Sequence, residues 1–289
     1  MNFNTFINCS LVGLALTSSV AAFSATTKQS KEVRAIIDKV NTYWQSNNAP
    51  EVRAFWDNAA YHTGNMEAYF LTGNDAYREY SEKWAEHNQW KGAKSNDRAN
   101  WKYSYGESDD YVLFGDWQIC FQTYADLYNI LPDDKRIRRA REVMEYEMST
   151  PKHDYWWWAD GLYMVMPVMT KLHKITGNKQ YLDKLYEYIT YSDSIMFDHN
   201  SQRPEGYWSR SMLDEEHAPR YETSGTAFFT YGLLWGINNG YLNDPKYLDA
   251  AQKGWNYLKN VALQKDGRVG YVQPIGEKAI PGQVVDSKS

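Results

Sequence analysis

The sequence predicts an all-α protein built from stacked helical hairpins, either an open solenoid or a closed α/α toroid. Three observations carry this. Apolar residues recur with helical spacing from residue 30 onward. No segment reads as a convincing strand; Val269–Val272 is the best candidate and is short. A helix–turn–helix unit also repeats: Tyr69-Phe70-Leu71-Thr72-Gly73-Asn74-Asp75-Ala76-Tyr77 is echoed by His173-Lys174-Ile175-Thr176-Gly177-Asn178-Lys179-Gln180-Tyr181.

Each helix is bounded by its own signals. Ser30–Asn47 opens the series. Asn58–Thr72 and Asp75–Asn88 flank Gly73-Asn74, where Gly takes the left-handed conformation that ends a helix. Asp116–Asn129 and Asp134–Glu147 meet across a Pro/Asp turn. Ala159–Thr176 and Lys179–Met196 meet at Gly177-Asn178. Ser224–Asn239 and Pro245–Leu263 form the last pair, with Pro at a helix start. Hairpins of this kind bury their apolar faces only by stacking on one another. The intervening loops Trp101–Gly115, Ser149–Trp158 and His199–Glu222 gather into one mouth if alternate connections lie at one end of a ring.

Before residue 30 the chain reads differently. Leu11 to Ala22 is a short apolar run followed by small residues at Ala21, Ala22 and Ala25, the pattern of an export signal over 1–25. No Lys or Arg precedes it. It is too short to span a bilayer. This leaves 26–289 as a single domain in a periplasmic or secreted protein, with Cys120 as its one cysteine. A disulfide scaffold is excluded. A net charge of −5 without a basic block argues against nucleic acid. The cysteines and the six His show no metal-ligand spacing, so neither a metal nor another cofactor is expected.

The chemistry concentrates in aromatic runs that end in a carboxylate. The chain has 12 Trp and 24 Tyr, side chains that stack on sugar faces. Tyr155-Trp156-Trp157-Trp158-Ala159-Asp160 puts three Trp ahead of an acid at a helix start. Burial beside Trp disfavours a charged carboxylate, so Asp160 is the expected proton donor. Asp116, in Gly115-Asp116-Trp117-Gln118, opens another helix in a more polar setting and is the expected ionised partner. Both also suit ordinary N-caps, and a helix dipole would lower both pKa values. Tyr61-His62-Thr63-Gly64 and Gln122 offer hydrogen bonds to a sugar. Glu222-Thr223-Ser224-Gly225 is a polar helix start that reads equally as a cap.

Taken together, Tyr61-His62-x-Gly64, Asp116-x-Gln118-x-x-x-Gln122-Thr123-Tyr124, Trp156-Trp157-Trp158-Ala159-Asp160-Gly161-Leu162-Tyr163-Met164, Glu222-Thr223-Ser224-Gly225 and Gly270-Tyr271-Val272-Gln273-Pro274 resemble the unsaturated rhamnogalacturonyl hydrolases of glycoside hydrolase family 105, related to the family 88 unsaturated glucuronyl hydrolases. The resemblance implies an (α/α)6 barrel acting without metal or organic cofactor on 4,5-unsaturated uronyl oligosaccharides, by hydrating the C4=C5 bond, in pectin and rhamnogalacturonan breakdown. It implies Asp160 as general acid/base and Asp116 as the second carboxylate. Tyr61, His62, Gln122, Trp157, Trp158 and Glu222 become the expected substrate contacts. The family's His-bearing segment and Trp-x-Arg-Gly-Asn-Gly-Trp motif are not found between Phe197-Asp198-His199 and Gly206-Tyr207-Trp208, and the family's final helix is not found after Gly276. The ring is therefore expected to be incomplete and its activity impaired or absent. The other readings are a binder without turnover or another α/α-toroid enzyme, a lyase or an epimerase.

Overall fold

The computed structural model describes residues 30–156, 159–196, 202–210, 220–238, 240, 242–274, 283 and 285–288. The expected export signal over 1–25 and the expected sugar contacts Trp157 and Trp158 lie outside these residues. Helix α1 covers 30–47. It is followed by α2 (Trp56–Thr72), α3 (Asp75–His87), α4 (Cys120–Ile130), α5 (Asp134–Met148), α6 (Ala159–Met164), α7 (Met166–Thr176), α8 (Gln180–Met196), α9 (Thr223–Asn238) and α10 (Pro245–Tyr257). Among the described residues there is no strand; Val269 makes only an isolated bridge to Leu263.

The repeated hairpin turns have the same chemistry. Gly73 and Gly177 both sit in the left-handed region at φ 70° and 72°. Their N–H groups close on Tyr69 O and His173 O at 2.7 and 2.8 Å. Asn74 and Asn178 then cap the next helices by accepting from Ala76 N and Gln180 N. Asp133 and Asp244 do the same for α5 and α10.

Two predicted helices are broken, each for a local reason. The stretch read as Asp116–Asn129 begins instead as a 3-10 turn, Gly115–Trp117, and α4 starts only at Cys120. The stretch read as Ala159–Thr176 splits at Val165 into α6 and α7. Pro167 explains the split: it has no N–H to give to Tyr163 O and crowds the residue before it.

The helices pack pairwise, α2 on α3 and α4, α4 on α5 and α7, α7 on α8, and α9 on α10. The large core is rich in aromatics, with Trp84, Trp156, Tyr124, Tyr181 and Tyr188 all fully buried. Tyr207, Tyr257 and Ala262 form a smaller cluster under α9 and α10. Tyr163 stacks on Phe228 at 4.2 Å and so joins α6 to α9. Apolar side chains stand in solvent on α8 (Leu182, Tyr186, Ile189) and on α9 (Phe229, Tyr231, Trp235). The fold is an α/α toroid.

Candidate active site

Asp116 sits on the Gly115–Trp117 turn. Trp117 N and Gln118 N close the turn on Phe114 O and Gly115 O at 3.0 and 2.9 Å. The turn lies tight against Gly92, where an added Cβ would fall 1.8 Å from Trp117 O, so only Gly fits there. Phe55 packs edge-on against Trp117 at 4.7 Å. Burial in this setting, together with the charges of Asp160 and Asp57, pushes Asp116 up to about 7.

Asp160 lies in the first turn of α6. Its residue remains exposed. Desolvation nevertheless pushes it up to about 6, against the lowering effect of hydrogen bonds from its own N–H and that of Gly161. The expected dipole effect is thus present but outweighed by burial. Both carboxyls are raised: Asp116 feels two other carboxylates, while Asp160 is held down in part by helix-start N–H groups. The charge of Asp160 is felt at Asp116, which couples the two titrations.

Sequence reasoning misses the third member, Asp57, because it starts this helix at Asn58. The signal for Asp57 is positional, since it stands in the first turn of a hairpin helix as Asp160 does. Asp57 pairs with Arg53 at 3.0 Å, and Arg53 also bonds Glu107 on the Trp101–Gly115 loop.

The remaining candidates are drawn into the fold itself. Tyr61 donates to Asn41 Oδ1 at 2.6 Å, accepts from Gln45 Nε2 at 3.0 Å, and stacks on Trp44 at 4.5 Å, so its hydroxyl ties α2 to α1. His62 is 1% exposed, stacked on Trp84 at 4.0 Å and bonded to Ser81 Oγ at 3.0 Å. Burial lowers it to about 3, so it is a neutral core imidazole. Gln122 donates to Tyr163 O and Met164 O, both at 2.8 Å. The first of these is the carbonyl that Pro167 leaves without a partner, so the Gln122 amide N–H groups support the α6–α7 break. Glu222 is 4% exposed and accepts from Ser224 N, Ser224 Oγ and Gly225 N at 2.8, 2.7 and 2.7 Å. It is the cap of α9. Glu222→Ala is expected to cost about 2 kcal/mol, the upper range for a lost helix cap, read as a lower urea midpoint. Among the described residues no group of three His, Cys, Asp or Glu converges as metal ligands would.

The model of Glycosyl Hydrolase Family 88 matches residues 28–201 and 199–289, two pieces that meet near residue 200. An unsaturated 3S-rhamnoglycuronyl hydrolase from Alteromonas sp. (strain LOR) is 41% identical over 181 residues, 62% of this chain and 41% of that protein. A protein of the same name from Formosa agariphila is 31% identical over 169 residues, 55% of this chain and 43% of its own. The match thus spans about two fifths of these relatives' length. Two solved structures each align over 90% of this chain with TM-score 0.83. One is named a polysaccharide lyase and is 57% identical over 92% of its chain. The other, a glycosyl hydrolase family 88 protein from Bacteroides vulgatus, is 51% identical over 94% of its chain. By sequence and by fold, the chain belongs to glycosyl hydrolase family 88.

Proposed function

We propose that the protein hydrolyses oligosaccharides ending in a 4,5-unsaturated uronic acid by hydrating the C4=C5 bond. The observation that carries this is the coupled pair of desolvated carboxyls, Asp116 near 7 and Asp160 near 6. Between those values the pair holds one proton, so acid and base coexist in one site. Asp160, the more exposed, passes that proton to C4 while water attacks C5 and gives its own proton back to the carboxylate. When that proton sits on Asp160, Asp116 is the ionised member of the pair. The product is a hemiketal at C5, which rearranges and releases the neighbouring sugar. The names of the curated relatives support an unsaturated uronyl substrate linked to rhamnose. A role in pectin or rhamnogalacturonan breakdown, and export to the periplasm or beyond, belong to the same proposal; the apolar run Leu11 to Ala22 supports export.

The name of one structural neighbour, a polysaccharide lyase, raises a second reading. An eliminating enzyme of this shape needs a Tyr/His or His/His acid–base set. Tyr61 is committed to Asn41 and Gln45, and His62 is sealed against Trp84, which counts against that reading.

The test is incubation with a lyase-generated unsaturated rhamnogalacturonan disaccharide, following loss of the conjugated uronate's ultraviolet absorbance. The rate is expected to be bell-shaped in pH, with limbs near 6 and 7. Below the lower limb both carboxyls are protonated and the base is lost. Above the upper limb both are ionised and the acid is lost. Binding with no absorbance change would leave a sugar binder, and a new conjugated product from an intact uronide would establish the lyase.

A further inference from the structure

Between the two carboxylates' supporting elements lies a buried amide whose every hydrogen bond is accounted for. Gln118 is 0% exposed. Its Nε2 donates to Val112 O at 3.1 Å and to Glu147 Oε1 at 2.6 Å, and its Oε1 accepts from Trp156 Nε1 at 3.2 Å. Only one amide orientation satisfies two acceptors and one donor. The backbone N–H of Gln118 closes the Asp116 turn on Gly115 O at 2.9 Å. At the other end, Trp156 backs onto the first turn of α6. A Cβ added at Gly161 would lie 3.1 Å from Trp156 Cβ and 3.2 Å from its carbonyl oxygen. Ser192 Oγ on α8 holds that same carbonyl at 3.1 Å. One side chain therefore spans from the turn bearing Asp116 to the wall against which Asp160's helix starts.

We propose that Gln118 is a positioning residue that sets the separation of Asp116 and Asp160, with Glu147 as its buried anchor. This rests on those two carboxyls being the reacting pair. Glu147 is fully buried on α5, and burial pushes it up to about 8. The groups that feel it are Gln118, Lys184, Tyr155 and Tyr188. At neutral pH it is a neutral acceptor, so its effect on the site is geometric and not a field. A displacement near 1 Å in such a site costs about 100-fold in rate, which makes a rigid spacer worth its buried polar atoms.

The test compares wild type, Gln118→Met, Trp156→Phe, Glu147→Gln and Glu147→Met by carbon-13 carboxyl titration and by kinetics. Asp116 is faced by Asp160 and by Asp57, which is itself paired with Arg53. In Gln118→Met the upper apparent pKa of the pair is expected to fall, because the turn admits water and Asp160 moves away. The same variant should lose about 100-fold in kcat with KM nearly unchanged. Trp156→Phe removes the indole N–H and part of the ring volume while keeping an aromatic side chain in the core, and is the second variant if Gln118→Met does not fold; it should shift both readouts the same way, by about ten-fold in kcat. Glu147→Gln keeps the acceptor and should recover most of what Glu147→Met loses. An unchanged titration and kcat in Trp156→Phe and in any folded Gln118→Met would overturn the spacer. A wild type without turnover would overturn the hydrolase reading instead, while the titration still decides the spacer.

Discussion

Asp160→Asn is expected to lower kcat by about a thousand-fold while leaving oligosaccharide binding and the fold intact. General acid–base groups contribute about 10²–10⁴ in rate, and Asp160 is the more exposed residue of the two. Asn keeps an oxygen for the N–H groups of Asp160 and Gly161, so the start of α6 is preserved. The sign of the stability change separates chemistry from folding. A carboxyl whose folded pKa is raised stabilises the fold fully only below its unfolded value, and that advantage is lost as pH rises through the folded value near 6. At pH 7 the wild type carries the resulting cost and the neutral Asn does not. Thermal stability of the variant at pH 7 should therefore equal or exceed that of the wild type. The upper limb contributed by Asp116 should also move down, since the charge of Asp160 helps to raise it. Full activity in the variant would remove Asp160 from the mechanism. A lower melting temperature would mean that its role is structural.

Trp84→Ala has the largest expected effect on stability. Trp84 is 0% exposed, stacked on His62 at 4.0 Å, tilted against Tyr124 at 5.5 Å, and its indole N–H reaches Arg53 O at 3.4 Å. Truncating a buried Trp to Ala costs about 3–5 kcal/mol. Total stability for a domain is about 5–15 kcal/mol, so the variant should be marginal at 37 °C. Urea unfolding followed by far-ultraviolet circular dichroism should show a lower midpoint with an unchanged slope. A loss below about 1 kcal/mol would mean that the site collapses to fill the cavity. The consequence reaches the mouth, because Arg53 also holds Asp57 and Glu107.

The contrast between Asp160 and Trp84 shows what a sequence can carry. Helix existence, the hairpin repeat and its caps were legible because each depends on residues within a few positions of one another. Gly73-Asn74 and Gly177-Asn178 make the same turn from the same local chemistry. The two carboxylates were legible too, because an acid following aromatics at a helix start is a local pattern.

What the local pattern left open is which partner each polar side chain meets. Tyr61, His62, Gln122 and Glu222 have the hydrogen-bonding capacity of sugar contacts, and the fold uses that capacity for Asn41, Ser81, the carbonyls beside Pro167 and the start of α9. The proton affinities of Asp116 and Asp160 depend on burial and on charges brought in from α2 and α6, distances that no spacing along the chain encodes. By itself the sequence determined an all-α chain of capped hairpins, because helix periodicity and capping are short-range. Only the tertiary structure decided that burial raises both Asp116 and Asp160, that Asp57 bears on Asp116 and that Gln118 spans their supports, because desolvation and Coulomb coupling act through space.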